Sequence, residues 1–144
     1  MEWLKAIVDY GIIGLLIIMS VIALTIAVER YLVFRKIRVE NFDDKKTLEI
    51  ELTKRMHIIA TIGSNAPYIG LLGTVLGIML TFYIMGREGM MDTSKIMIGL
   101  ALALKTTAIG LLVAIPSITF YNFLLRKVKI LIAQWEIMNG RKRI

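Results

Sequence analysis

Three long apolar runs divide the chain, at roughly 6–28, 62–85 and 96–125, and two of them carry small and hydroxyl residues at helical spacing. In the second run Pro67, Gly70, Thr74, Gly77 and Thr81 step by three and four. In the third, Ala103, Thr107, Gly110, Ala114, Ser117 and Tyr121 do the same. Such spacing puts each set on one face of an α-helix. Every run reaches the ~20 residues that cross a hydrocarbon core, and the third is long enough to tilt or project beyond it. In a bilayer, small residues let helix backbones approach, while hydroxyls there need partners or water. Two such faces in one short chain predict helices that line something. The first run, rich in Ile and Leu with few small residues past Gly14, is expected to face lipid.

The pattern predicts an all-α membrane protein, one domain over residues 1–144, with the second and third transmembrane helices extended into the cytoplasm. The first run outlasts the ~7–15-residue apolar region of a signal peptide. It also carries Glu2 and Asp9 early and offers no small-residue cleavage site, so it is expected to be retained. Segment 29–61 reads as helix, with Asn41 as N-cap and Asp43 and Asp44 in the first turn. Lys45–Glu49 and Glu51–Arg55 are charge pairs four apart, and Leu48, Leu52, Met56 and Ile59 form an apolar stripe. The tail 126–144 continues the third helix, with Val128, Leu131, Ile132 and Trp135 on one side and Gly140 as the expected stop. The two segments are expected to pack together below the membrane. The alternative is a solvated loop and a basic tail touching anionic lipid.

Composition agrees with a membrane domain. Of the 144 residues 57% are hydrophobic and the mean hydropathy is +0.71, against about 45–50% apolar in a soluble domain. The net charge is +7, and 14 of the 18 lysines and arginines fall in 29–61 and 126–144. The positive-inside rule therefore places those segments in the cytoplasm and the amino terminus in the periplasm, so the charge marks topology rather than nucleic-acid binding. The absence of cysteine excludes disulfides and thiol chemistry. His57, the only histidine, has no carboxylate set beside it and reads as a surface residue near the membrane boundary. The glycines of G-L-L-G-T-V-L-G follow no strand and precede no Lys-Ser/Thr pair, so they are not a phosphate loop. Nothing in the chain calls for a metal or cofactor, and no residue set suggests an enzyme. Gly70, Gly73, Gly77 and Gly110 suit close helix packing instead. Pro67 and Pro116 free the carbonyls of Gly63 and Leu112, predicting kinks where a free carbonyl can serve an ion path.

Two stretches carry a family resemblance. A-P-Y-I-G-L-L-G-T-V-L-G-I-M (Ala66–Met79) and T-A-I-G-L-L-V-A-I-P-S-I-T-F-Y-N (Thr107–Asn122) closely resemble the signature of ExbB/TolQ proteins, relatives of the flagellar stator subunit MotA. The likeness is strong over the second and third spans, weaker over the first and thin in 29–61, and it is most like ExbB. The resemblance implies an inner-membrane energy transducer that forms a ring, typically a pentamer, with its second and third helices around a pore. That pore would hold the transmembrane helices of a single-span ExbD- or TolR-like partner bearing an essential aspartate. Proton flow would drive motion relayed to TonB or TolA. By motif, Thr74 and Thr107 are the hydroxyls expected to face the partner's aspartate. Thr81 and Ser117 share their stripes and complete the candidate lining of the proton path.

One position departs from the pattern. Many family members have a glutamate five residues before the second threonine, where this chain has Leu102. Lys105 lies about 60° around the helix from Leu102 and some 200° from Thr107. It leaves three readings open: snorkelling to the outer surface, a contact with a carboxylate or lipid head group, or direct proton transfer. Its nearest acids by sequence, Glu88 and Asp92, lie in the outer loop, so a subunit boundary or the membrane surface is its expected place. The short length and small cytoplasmic part favour a TonB-type over a Tol-type system. A non-conducting scaffold is the rival class, because small-residue stripes serve packing as well as pores. A topology reporter fused near Gly89 should report the periplasm, and fusions near Lys46 or after Arg143 the cytoplasm. Reversed labelling at both sites would refute the three-span topology.

Overall fold

A computed structural model describes residues 2–89 and 92–142. It contains helices α1 (Glu2–Lys36), α2 (Lys45–Leu52), α3 (Met56–Glu88) and α4 (Thr93–Lys142), with a single 3-10 turn over Val39–Asn41. Among the described residues there is no strand, and α1, α3 and α4 are each long and apolar enough to cross a membrane. The all-α expectation holds. Gly89 ends α3 with φ 68, a left-handed conformation open to a residue without Cβ. Three residues on, the Asp92 carboxylate accepts the Ser94 N–H at 3.0 Å and starts α4.

The two small-residue faces do not stay free, as their sequence pattern suggested. They pack on each other within one chain. A Cβ on Gly70 would lie 2.6 Å from the Thr106 carbonyl oxygen and 3.1 Å from Gly110 Cα. One on Gly110 would lie 2.6 Å from the Ala66 carbonyl oxygen, and one on Gly77 2.8 Å from Ala103 Cβ. The reason is steric: a face stripped of side chains meets another such face more closely than it meets branched residues. Both α3 and α4 run unbroken past Pro67 and Pro116. Helix α1 lays Leu16 and Ala23 against Ile62 and Ala66 of α3 and Val113 and Ala114 of α4. On its other faces Ile17, Ile18, Val21 and Leu24 are exposed.

At the other end a second core gathers Ile26 and Phe34 of α1, Leu48 and Leu52 of α2, Met56 and Ile59 of α3, and Leu124, Val128 and Leu131 of α4. Trp135 Nε1 closes it by donating to the Phe42 carbonyl at 2.8 Å. The stripe Leu48–Ile59 thus packs against the lower part of α4, but not as one helix. Asn41 closes the 3-10 turn instead of capping a helix. The N-cap of α2 is Asp44, whose backbone is extended and whose carboxylate accepts the Thr47 hydroxyl at 3.1 Å. Arg55 takes φ 65 between α2 and α3, and this break separates Glu51 from Arg55. The expected pairs within the segment give way to pairs between helices: Arg55 with Glu29 of α1, and Lys45 with Glu136 of α4 at 2.5 Å. Glu136 holds the Lys45 ammonium above the ordinary lysine range, chiefly through their hydrogen bond. Nor does Gly140 stop α4, which continues to Lys142. A mid-helix glycine costs only about 1 kcal/mol. Arg143 and Ile144, the end of the expected tail, lie outside the described residues.

Because the atoms facing Gly70 and Gly110 include backbone, an added methyl there forces the helices apart. Gly70→Ala and Gly110→Ala should each lower stability by about 1–3 kcal/mol, the usual range for overpacking. Gly14→Ala, with nothing within 4 Å of the new Cβ, should be neutral to stabilising by up to about 1 kcal/mol, the helix preference of alanine over glycine. Thermal melts in detergent check this, and equal midpoints for all three variants would contradict it.

Candidate functional site

Where α3 and α4 touch, the glycines leave room for three hydroxyls. Thr74 sits on α3, Thr106 and Thr107 on α4. The Thr74 and Thr107 hydroxyls pair directly. Thr74 also reaches the Ala103 carbonyl at 2.9 Å and the Thr106 hydroxyl at 3.4 Å. Thr106 lies 3.0 Å from the Gly70 carbonyl and 2.9 Å from that of Ala103, and Thr107 lies 3.4 Å from Gly70. Each hydroxyl donates once and accepts twice. Three hydrogens therefore share two carbonyls and three hydroxyl oxygens, in more than one arrangement. A cluster of that kind can hand a proton along by reorienting its hydroxyls, or can lock two helices together.

Burial grades the three. Thr106 is fully buried, Thr74 is 6% exposed, and Thr107 is half-buried at the edge of the contact. Sequence reasoning named Thr74 and Thr107 but missed Thr106. The signal was present: Ala103, Thr106, Gly110, Val113 and Ser117 also step by three and four, and all are buried.

The other sequence candidates lie apart from the cluster. Thr81 is buried, donates to the Gly77 carbonyl at 2.8 Å and accepts from Lys5 Nζ at 3.2 Å. Ser117 is buried and donates to the Val113 carbonyl at 2.8 Å. Gly73 faces the cluster, where a Cβ would lie 2.5 Å from the Thr106 hydroxyl oxygen. Pro67 is half-buried and Pro116 exposed. Exposed Lys105 lines a cavity of about 500 Å³ near the α3–α4 turn, together with Leu102. Glu88 lines it too, and so does Asp9, an acid from α1 that sequence proximity did not suggest. At the opposite end Arg30 is 2% exposed, donating to the Glu51 carbonyl at 2.8 Å and pairing with Glu29 at 3.1 Å. It ties α1 to α2 and was not foreseen. Among the described residues no three His, Cys, Asp or Glu side chains come together as a metal site.

Comparison with known proteins agrees with this geometry. Residues 27–137 match the MotA/TolQ/ExbB proton channel family. The chain is 60% identical over 140 residues to the biopolymer transport protein ExbB of Aquifex aeolicus, covering 97% of this chain and 95% of that protein. It is 57% identical over 136 residues to the putative biopolymer transport protein ExbB-like 2 of Helicobacter pylori, with 94% and 91% covered. Biopolymer transport protein ExbB of Helicobacter pylori strain J99 is 49% identical over 138 residues, with 96% and 95% covered. With three helices able to span a membrane and a family match across most of its length, this chain belongs to the MotA/TolQ/ExbB proton channel family.

Proposed function

We propose that the chain is an ExbB-type subunit of a proton-driven motor in the bacterial inner membrane. Several copies, five on the family pattern, would ring the transmembrane helices of a single-span ExbD-like partner. The energy would pass to a TonB-like protein and on to the outer membrane. The hydroxyl cluster of Thr74, Thr106 and Thr107 carries this reading. It offers reorientable hydroxyls where Gly70 and Gly110 bring the backbones of α3 and α4 together. Its half-buried member, Thr107, is the one able to reach a carboxylate from outside the subunit. Exposed Tyr68, Leu71, Leu72, Val75 and Met79 on α3 give neighbouring copies and lipid a broad apolar surface. The names of the most similar relatives favour an ExbB-type over a TolQ-type system. The distribution of basic residues supports a periplasmic amino terminus and a cytoplasmic α2 end.

A second reading has its own support. Thr74 and Thr106 find partners inside one subunit, as they would in a scaffold that only packs. Valine keeps the shape of threonine and removes its hydroxyl, so it separates the two. In liposomes holding the complex with its partner, Thr74→Val and Thr107→Val should each cut proton flux by roughly a hundredfold or more, the low side of what a positioned proton carrier supplies. The oligomer should survive. Full flux in both variants would leave the cluster a packing device. Native mass spectrometry in mild detergent should show a closed homo-oligomer, and monomer alone would count against the ring.

A further inference from the structure

Spans 6–28, 62–85 and 96–125 contain just two charged side chains, Asp9 and Lys105. Helices α1 and α4 bring both to the same cavity of about 500 Å³, beside the α3–α4 turn. Lys5, Glu88 and Lys95 line it as well. Opposite charges lining one cavity could pair across it, yet the ion pairs among the described residues are Arg30–Glu29, Arg55–Glu29 and Lys45–Glu136, all elsewhere. Lys5 is held by the Thr81 hydroxyl at 3.2 Å. Asp9 Oδ1 is buried without a hydrogen-bond partner among the described residues. A buried carboxylate oxygen with no donor is costly, so its donor is to be sought in the space it faces.

We infer that this cavity binds the head group of a zwitterionic phospholipid with a primary ammonium, a phosphoethanolamine. That group carries both charges the lining is built to meet. Its phosphate suits the free ammonium groups of Lys95 and Lys105, and its own ammonium supplies the N–H that Asp9 lacks. Ile13, Ile98 and Leu102 line the same space and give an acyl chain an apolar wall. The volume falls within the ~300–1,000 Å³ of ligand pockets. The location fits: Thr81, the buried hydroxyl on the cavity wall, lies about 10 Å along α3 from the helix end at Glu88, close to head-group level. On the orientation proposed above, this is the outer leaflet. Asp9, Lys95 and Lys105 then each have a use that direct pairing would have removed.

The test compares lipids of identical acyl chains added to the purified protein, with retention read by native mass spectrometry. Phosphatidylethanolamine should outlast phosphatidylcholine about tenfold, the ratio for one charge-assisted hydrogen bond. Choline has no N–H to offer Asp9. Asp9→Asn should erase that preference, and Lys105→Met should weaken retention of both lipids. Lys54→Met, on the exposed far end, should change neither. Should Asp9→Asn fail to assemble, the wild-type protein still decides: retention must fall as methyl groups replace the N–H groups of ethanolamine one by one. A flat series would overturn the inference. So would a preference that survives Asp9→Asn, or equal retention of soluble glycerophosphoethanolamine, which would make this a site for free phosphate esters. Proton flux lost in Asp9→Asn with lipid preference intact would also overturn it, placing Asp9 on the proton path.

Discussion

Backbone contact between α3 and α4 at Gly70 and Gly110 governs what the rest of the subunit can do. A threonine hydroxyl stands one carbon beyond Cα, so it reaches a carbonyl on another helix only where the two backbones nearly touch. With no Cβ at either glycine, Thr106 comes to 3.0 Å from the Gly70 carbonyl and Thr74 to 2.9 Å from that of Ala103. One methyl at the crossing would meet the Thr106 carbonyl oxygen at 2.6 Å and open the gap that brings these groups together. Packing and the hydroxyl cluster are thus not separate properties of this interface. The glycines create the proximity, and the threonines use it.

The two ends of the bundle are held differently. At the α2 end, Leu48, Leu52, Met56 and Ile59 bury against Leu124, Val128 and Leu131, while Arg30 and Trp135 satisfy carbonyls from neighbouring segments. That end has the features of a water-facing domain: an apolar core rimmed by charge. The α3–α4 turn end is loosely filled, with a charged cavity where the other end has a core. Between them, large apolar side chains project outward on α1, α3 and α4, which suits lipid and neighbouring subunits and would be a liability in water. A firmly packed base and an open, charge-lined top give α1 different anchoring at its two ends.

The three spans and the residues of the α3–α4 contact were legible because both rest on periodicity, and helix period is a local property. What periodicity leaves out is which face meets which. The two small-residue stripes read as surfaces awaiting partners, whereas each is the other's partner. The Thr106–Thr107 doublet shows the same limit. Adjacent residues point about 100° apart on a helix, and following the motif through Thr107 passed over Thr106, the more buried of the two. The break before α3 was hidden for a related reason. Leu48, Leu52, Met56 and Ile59 keep their spacing across it, and Arg55 adopts its left-handed backbone without a glycine to announce it. That Asp9 and Lys105 line one cavity depends on the register of α1 against α4, which no single-helix pattern encodes.

An experimental structure of the assembled complex in a lipid nanodisc, partner included, tests the central claim most directly. The claim is that the glycine crossing presents its hydroxyls to a moving proton. The edge of the cluster at Thr107 should then open on the interior of the ring, with the partner's carboxylate or an ordered water in hydrogen-bond reach. Burial of that edge under lipid tails, or under the apolar face of a neighbouring subunit, would contradict it and leave the hydroxyls as glue between two helices.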